Sequence, residues 1–209
     1  MPSLRNLLRT HSPLLLLDAS SQRIQAGLLG PDPARWASRT EEAGVGVFAC
    51  LEDLGVDPGA VAAFAFCEGP GSILGIRTSA MALRVWDVLQ PRPLFAFQSL
   101  AVAAAAAGRP GATLIADARR GLWHCLPVGG TLARVPAAEL TGELLTPEGF
   151  RAWAPLPAGT AVVPYDLAAL FALPAVADAD LFRPSPAPDA FLHEEPAYAK
   201  WVPQIHRAP

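Results

Sequence analysis

Four consecutive leucines, Leu14 to Leu17, end at Asp18 and give way to a short polar run, Ser20-Ser21-Gln22-Arg23. An apolar run of this length closed by a carboxylate predicts a strand buried on both faces. Residues 24–29 then predict the returning arm of a hairpin, and residues 35–39 a third, edge strand. Residues 41–54 have the length and partial periodicity of a helix, weakened by Gly44 and Gly46 at roughly 1 kcal/mol each. Residues 61–66 are again continuously apolar between Pro58-Gly59 and Glu68-Gly69-Pro70-Gly71, which predicts a buried, parallel strand. A long helix over 73–89, a strand over 94–97 and an Ala-rich helix over 100–107, closed by Gly108, complete the first half. Strands follow at 113–117 and 122–128. The remainder holds 13 of the 22 prolines, from Pro127 onward. It predicts loops such as Arg183-Pro184-Ser185-Pro186, with a strand at Val162-Val163 and a brief helix at 167–171.

One pattern occurs twice. LLLLDASSQRIQAGLL and TLIADARRGLWHCLPV each run as apolar strand, terminal aspartate, small polar turn and second strand. Asp18 and Asp117 hold the same place in each. The echo predicts two related lobes, residues 14–99 and a smaller 100–209, preceded by an extension over 1–13. A chance match between two hydrophobic hairpins is the alternative. The apolar run in the first 17 residues is too short for a signal segment or a membrane span.

The helix over 73–89 decides where the molecule meets others. Stepping about 100° per residue, Ile76, Ala80, Met81, Leu83, Val85, Trp86, Val88 and Leu89 spread nearly all round. Only Arg77 and Arg84 make a charged stripe. Such a helix needs cover on almost every side. Ser79, Ala80 and Ala82 would let a partner helix come close, while Met81, Val85 and Trp86 would supply apolar contact. Burial within the chain's own second lobe is the alternative. Composition favours a partner: 52% of residues are hydrophobic and 17% charged. The formal charge of −3 argues against strong independent binding to a nucleic-acid backbone.

Candidate chemistry is sparse. Ser72 is placed to cap the helix, and exposed N–H groups there could hold an anion; a plain strand-to-helix turn is the alternative. His11, His124, His193 and His206 form no metal-binding pair. Cys50, Cys67 and Cys125 show no CxxC and read as reduced residues in a cytoplasmic protein. No glycine follows Asp18 directly, and Asp117 is followed by Ala118-Arg119-Arg120 before Gly121, so neither turn is a glycine-lined phosphate loop. Arg119 could touch a phosphate or simply be solvated. A degenerate nucleotide-dependent phosphotransferase, with Asp18 and Asp117 as magnesium carboxylates, is the surviving enzyme reading. Ser72 lacks a GxSxG setting, so a hydrolase is disfavoured.

The ordered motifs resemble those of the TsaB (YeaZ) family. They are Leu17-Asp18-Ala19-Ser20, Gly69-Pro70-Gly71-Ser72-Ile73-Leu74-Gly75-Ile76-Arg77, Gln98-Ser99-Leu100, Asp117-Ala118-Arg119-Arg120-Gly121 and, more loosely, Pro196-Ala197-Tyr198. The resemblance implies an actin-like, ribonuclease H-like α/β fold of two related lobes, each a mixed sheet flanked by helices. It implies a non-catalytic scaffold without a cofactor. Its partners would be a TsaD-like subunit that threonylcarbamoylates adenosine 37 of tRNA and a TsaE-like ATPase. In that family the helix after the GPGS turn lies in the dimer interface, so the resemblance leaves either a monomer or a homodimer through this helix for the lone protein. Ile73-Leu74 stands where Phe-Thr is usual, Ala19 where Thr is usual, and His124 where Tyr is common. A shifted partner preference would follow from these departures.

Overall fold

The computed structural model describes residues 1–30 and 33–191. Two mixed sheets, each flanked by other elements, share one wiring. In the first sheet, β1 (Leu14–Asp18) pairs antiparallel with β2 (Ile24–Leu29), and β2 with β3 (Arg35–Arg39). On its other side β1 runs parallel to β4 (Ala63–Gly69), and β4 to β5 (Leu94–Gln98). In the second sheet, β6 (Ala112–Asp117) pairs antiparallel with β7 (Leu122–Pro127), and β7 with β8 (Ala133–Pro136). Parallel to β6 runs β9 (Glu143–Pro147), and beyond it β10 (Ala161–Val163). Asp18 and Asp117 therefore close the same central strand of each sheet, as the sequence echo predicts.

The lobes differ in their helices. α2 (Ala43–Leu54) lies between β3 and β4, and α3 (Ile73–Leu89) between β4 and β5. The second lobe has a 3-10 turn, Ala137–Glu139, in place of the first and an irregular loop over 148–160 in place of the other. It keeps the sheet and loses the outer helices. That is why so proline-rich a stretch still completes five strands.

Alternation along the strands sorts the core into layers. Leu15, Leu17, Phe64 and Phe66 face outward onto α2 and α3, where they meet Val47, Cys50, Leu51, Ile76, Ala80 and Leu83. Leu14, Leu16, Ala63 and Phe97 face inward, toward Leu114 and Ala116 of the second sheet. Between the sheets lie α4 (Ser99–Ala107), α5 (Leu167–Ala172) and α6 (Pro174–Ala177). α4 ends at Gly108 in the left-handed conformation expected of a C-terminal glycine.

Residues 1–13, read from sequence as an extension, are part of this core. α1 (Leu4–Thr10) starts at a Ser3 cap, buries Leu4 and Leu7, and pairs Arg5 with Asp178 beside α6. About two helical turns with two leucines on one face are too short a signal to separate from a loose segment. β8 and β9 were likewise illegible. β8 is a half-exposed edge strand, and β9 buries only Leu144 to Pro147 between turn residues. The last strand, β11 (Arg183–Pro184), returns from the C-terminal half to pair with β5 in the first sheet. Its Arg183 forks onto the carboxylate of Glu68, which is buried. The division at residue 100 is thus crossed by chain on both sides.

Candidate functional site

α3 begins at Ser72, whose hydroxyl accepts from the Gly75 N–H at 3.4 Å. Its first turn is pressed onto the strand-end turn after β1: the Ser72 N–H donates to the Ser20 carbonyl at 2.7 Å. A Cβ on Gly71 would lie 2.2 Å from that carbonyl oxygen, and one on Gly75 would lie 2.0 Å from the Ala19 carbonyl oxygen. Gly71 and Gly75 of the Gly-Pro-Gly-Ser-x-x-Gly run are therefore demanded by a close backbone crossing. The anion site considered at Ser72 is corrected accordingly, because this chain's own carbonyls occupy the approach.

Helical geometry then divides α3 in two. Ile76, Ser79, Ala80 and Leu83 are buried against the first sheet and α2, and Ala82 is buried as well. Ile76, Ser79 and Ala80, expected to meet a partner, are instead covered by the chain's own lobe. The opposite face carries Leu74, Met81, Val85 and Val88, between 54 and 83% exposed. With Phe48 of α2, the exposed face lines an apolar groove of about 450 Å³ whose walls include Arg77, Thr78, Met81, Ala82, Val85 and Trp86. Among the described residues, the second lobe does not bury this face. Arg77 and Arg84, the charged stripe of the sequence, reach Asp189 at 3.6 and 3.4 Å. Arg84 also donates to the Pro188 carbonyl at 2.7 Å, so the chain's own later segment straps one edge of the helix.

The strand-end carboxylates are satisfied from within. Asp18 accepts from the Ser20 N–H and from the Tyr165 hydroxyl, both at 2.7 Å, and is almost fully buried. Burial raises its pKa above the ordinary 3.8, against the opposing effect of its hydrogen bonds from Ser20 and Tyr165. Burial likewise pushes Tyr165 well above 10.0, with Asp18 adding to the effect. Around them the lobes are stitched together. Gln25 donates to the Tyr165 carbonyl and accepts from the Leu167 N–H, and Arg23 pairs with Asp166.

Asp117 accepts from the Arg119 N–H on one oxygen and from the Trp153 and Ala154 N–H groups on the other. With both carboxylates engaged this way, neither is placed as the magnesium ligand of the phosphotransferase alternative. Among the described residues no group of three or more His, Cys, Asp or Glu side chains is arranged to hold a metal ion. Cys50, Cys67 and Cys125 are free thiols, and burial pushes Cys50 up to about 11. His193, His206 and the Pro196-Ala197-Tyr198 match lie outside the described residues.

No protein-family model matches the chain, and no curated protein does. Solved structures do. YeaZ from Pseudomonas aeruginosa is 24% identical over 64% of this chain and 74% of its own, with a TM-score of 0.54. A second structure, an uncharacterised Pseudomonas aeruginosa protein described as similar to peptidase YeaZ, is 22% identical. It matches 76% of this chain and 89% of its own, with a TM-score of 0.55. The likeness establishes the fold expected from sequence, two actin-like, ribonuclease H-like lobes. No helix among the described residues is long and apolar enough to cross a membrane.

Proposed function

We propose that this chain is a TsaB (YeaZ)-type partner subunit, a scaffold that docks through α3 onto a TsaD-like catalytic subunit. In this reading the complex, completed by a TsaE-like ATPase, threonylcarbamoylates adenosine 37 of tRNA. The observation that carries it is the apolar groove between Phe48 and the Leu74–Met81–Val85 face, an exposed surface on a helix whose other face is already buried. Motif order and the likeness to YeaZ structures support the same reading. The internal satisfaction of Asp18 and Asp117 supports a scaffold over the phosphotransferase alternative. A second copy of the chain would cover the groove when the partner is absent.

Co-expression with the TsaD-like subunit of the same organism tests the reading. Met81→Glu and Val85→Glu each place a carboxylate in the groove, and association should weaken by about 3 kcal/mol, roughly a hundredfold. Their melting temperatures should stay near that of the parent, since both positions are exposed. Ala82→Glu is the contrast, because Ala82 is buried and its substitution should lower the melt itself. Parent-like association of Met81→Glu and Val85→Glu would remove α3 from the interface.

A further inference from the structure

The loop over 148–160, which replaces a helix in the second lobe, carries a feature that the docking surface does not use. Trp153 is 55% exposed, and two guanidiniums lie over its ring: Arg151 at 3.9 Å from the centroid and Arg119 at 4.6 Å. Arg119 and Arg120 both hold left-handed backbone, with φ of 63° and 55°, a conformation that costs a non-glycine residue of order 1–3 kcal/mol. Asp117 holds the assembly in place. One of its oxygens takes the Arg119 N–H and the other the Trp153 and Ala154 N–H groups, so the turn and the loop are pinned to one carboxylate.

Several arginines elsewhere are paired with a carboxylate, as Arg5 with Asp178, Arg39 with Asp53 and Arg109 with Glu143, and Arg35 and Arg92 donate to backbone carbonyls. Arg119, Arg120 and Arg151 have none among the described residues, and Asp117 is committed to backbone. Two guanidiniums, of Arg119 and Arg151, held on one exposed ring without a counter-ion call for an anionic ligand. Guanidinium forks suit phosphate oxygens, and a tryptophan with its overlying guanidinium planes suits a flat base. An acidic peptide would use the charge alone, whereas a base can stack on the guanidinium planes and the exposed part of the ring.

We propose that Arg119, Arg151 and Trp153 form a contact site for single-stranded nucleic acid, with the guanidiniums taking phosphates and Trp153 taking a base. Because the whole chain carries a net charge of −3, binding is weak and strongly salt-dependent. The inference stands on this patch alone and is independent of the α3 partnership.

Fluorescence anisotropy of the full chain with a labelled oligouridylate of about 12 nucleotides, at about 50 mM salt, tests it. Arg119→Gln with Arg151→Gln should weaken binding at least about tenfold and flatten the log–log salt slope by roughly 1.4. Trp153→Ala should weaken binding by about fivefold or more. Arg9→Gln, which removes one exposed charge from α1, should leave binding unchanged. If Trp153→Ala lowers the melting temperature, Trp153→Phe keeps a ring and should retain binding. Absence of binding by the parent overturns the proposal, as does equal loss in Arg9→Gln. So does an indifferent Trp153→Ala, or polyglutamate competing as well as unlabelled oligonucleotide. Met81→Glu should bind the oligonucleotide like the parent, so failure here and failure of the α3 reading are separate results.

Discussion

Asp18 and Tyr165 stand 147 residues apart and share a hydrogen bond in full burial. The phenol donates to Oδ2 while the Ser20 N–H donates to Oδ1, so the carboxylate has a partner on each oxygen. Removing the hydroxyl in Tyr165→Phe leaves Oδ2 without a donor, which should cost about 1–3 kcal/mol in a urea melt. Burial sets the sign of the pH dependence. The folded pKa of Asp18 lies above the ordinary 3.8, so the unfolded chain releases this proton first as pH rises. The contribution is present in full below 3.8 and is lost as pH climbs through the raised folded value. Asp18→Asn keeps a neutral group of the same shape. It should therefore gain stability relative to the parent on going from acid to neutral pH, measured as melting temperature across that range. A parent that gains against Asp18→Asn over the same interval would show a carboxylate stabilised as an anion. The sequence marked Asp18 as a candidate for chemistry because it and Asp117 end the same strand of two repeated units, where a pair of magnesium carboxylates would sit. Its partner comes from a loop that no local pattern ties to it.

At the scale of elements, the Gly-Pro-Gly-Ser-x-x-Gly run is the clearest link from sequence to contact. Gly71 and Gly75 lie where any side chain would meet a backbone carbonyl of the β1 turn, and a carbonyl cannot swing aside as a flexible side chain can. Alanine at Gly75 would gain about 1 kcal/mol of helix propensity in isolation. The clash outweighs that, so Gly75→Ala should be net destabilising by about 2–4 kcal/mol in chemical denaturation, and Gly71→Ala by a similar amount. Gly44→Ala in α2 is the control: no atom lies within 4 Å of its Cβ position, so it should be neutral or mildly stabilising. β1, β2, β3 and α3 were legible because each carries a strong local signal. β1 is four leucines ended by a carboxylate, and α3 is a long apolar run started by a capping serine and halted at Gln90. Which side of α3 would be covered was not legible. The apolar residues spread all round, and only the tertiary placement of α2 and the first sheet reserved Ile76, Ser79 and Ala80 for the core. The arginine–tryptophan cluster was half legible, through Arg119. Trp153 sits in a proline-rich stretch without periodicity, and only the hydrogen bonds of Asp117 bring it to the turn.

At the scale of the molecule, the two lobes repeat one sheet wiring but do not form independent cores. Leu14, Leu16 and Phe97 of the first sheet and Leu114, Ala116 and Leu145 of the second belong to one apolar layer around α4. Across the same junction, Gln25 is buried with both ends of its amide engaged, at 3.2 Å to the Tyr165 carbonyl and 2.8 Å from the Leu167 N–H. A lobe that came away would expose that shared layer and leave these polar groups without partners, so neither lobe has a low-cost route to separate unfolding. Calorimetry should therefore show a single transition whose calorimetric and van't Hoff enthalpies agree, although the chain exceeds the size at which two-state behaviour is usual. Gln25→Ala should lower that one transition, at a cost of about 2–4 kcal/mol, because it strands two buried backbone groups and opens a cavity at the seam. If the lobes were separable units, the same substitution would split the trace in two, with the second lobe melting first for want of outer helices. A single peak shifted downward is the expected result. It would mean that the molecule presents its α3 groove and its second-lobe loop as fixed features of one rigid body, the condition for a scaffold whose work is to hold surfaces in register.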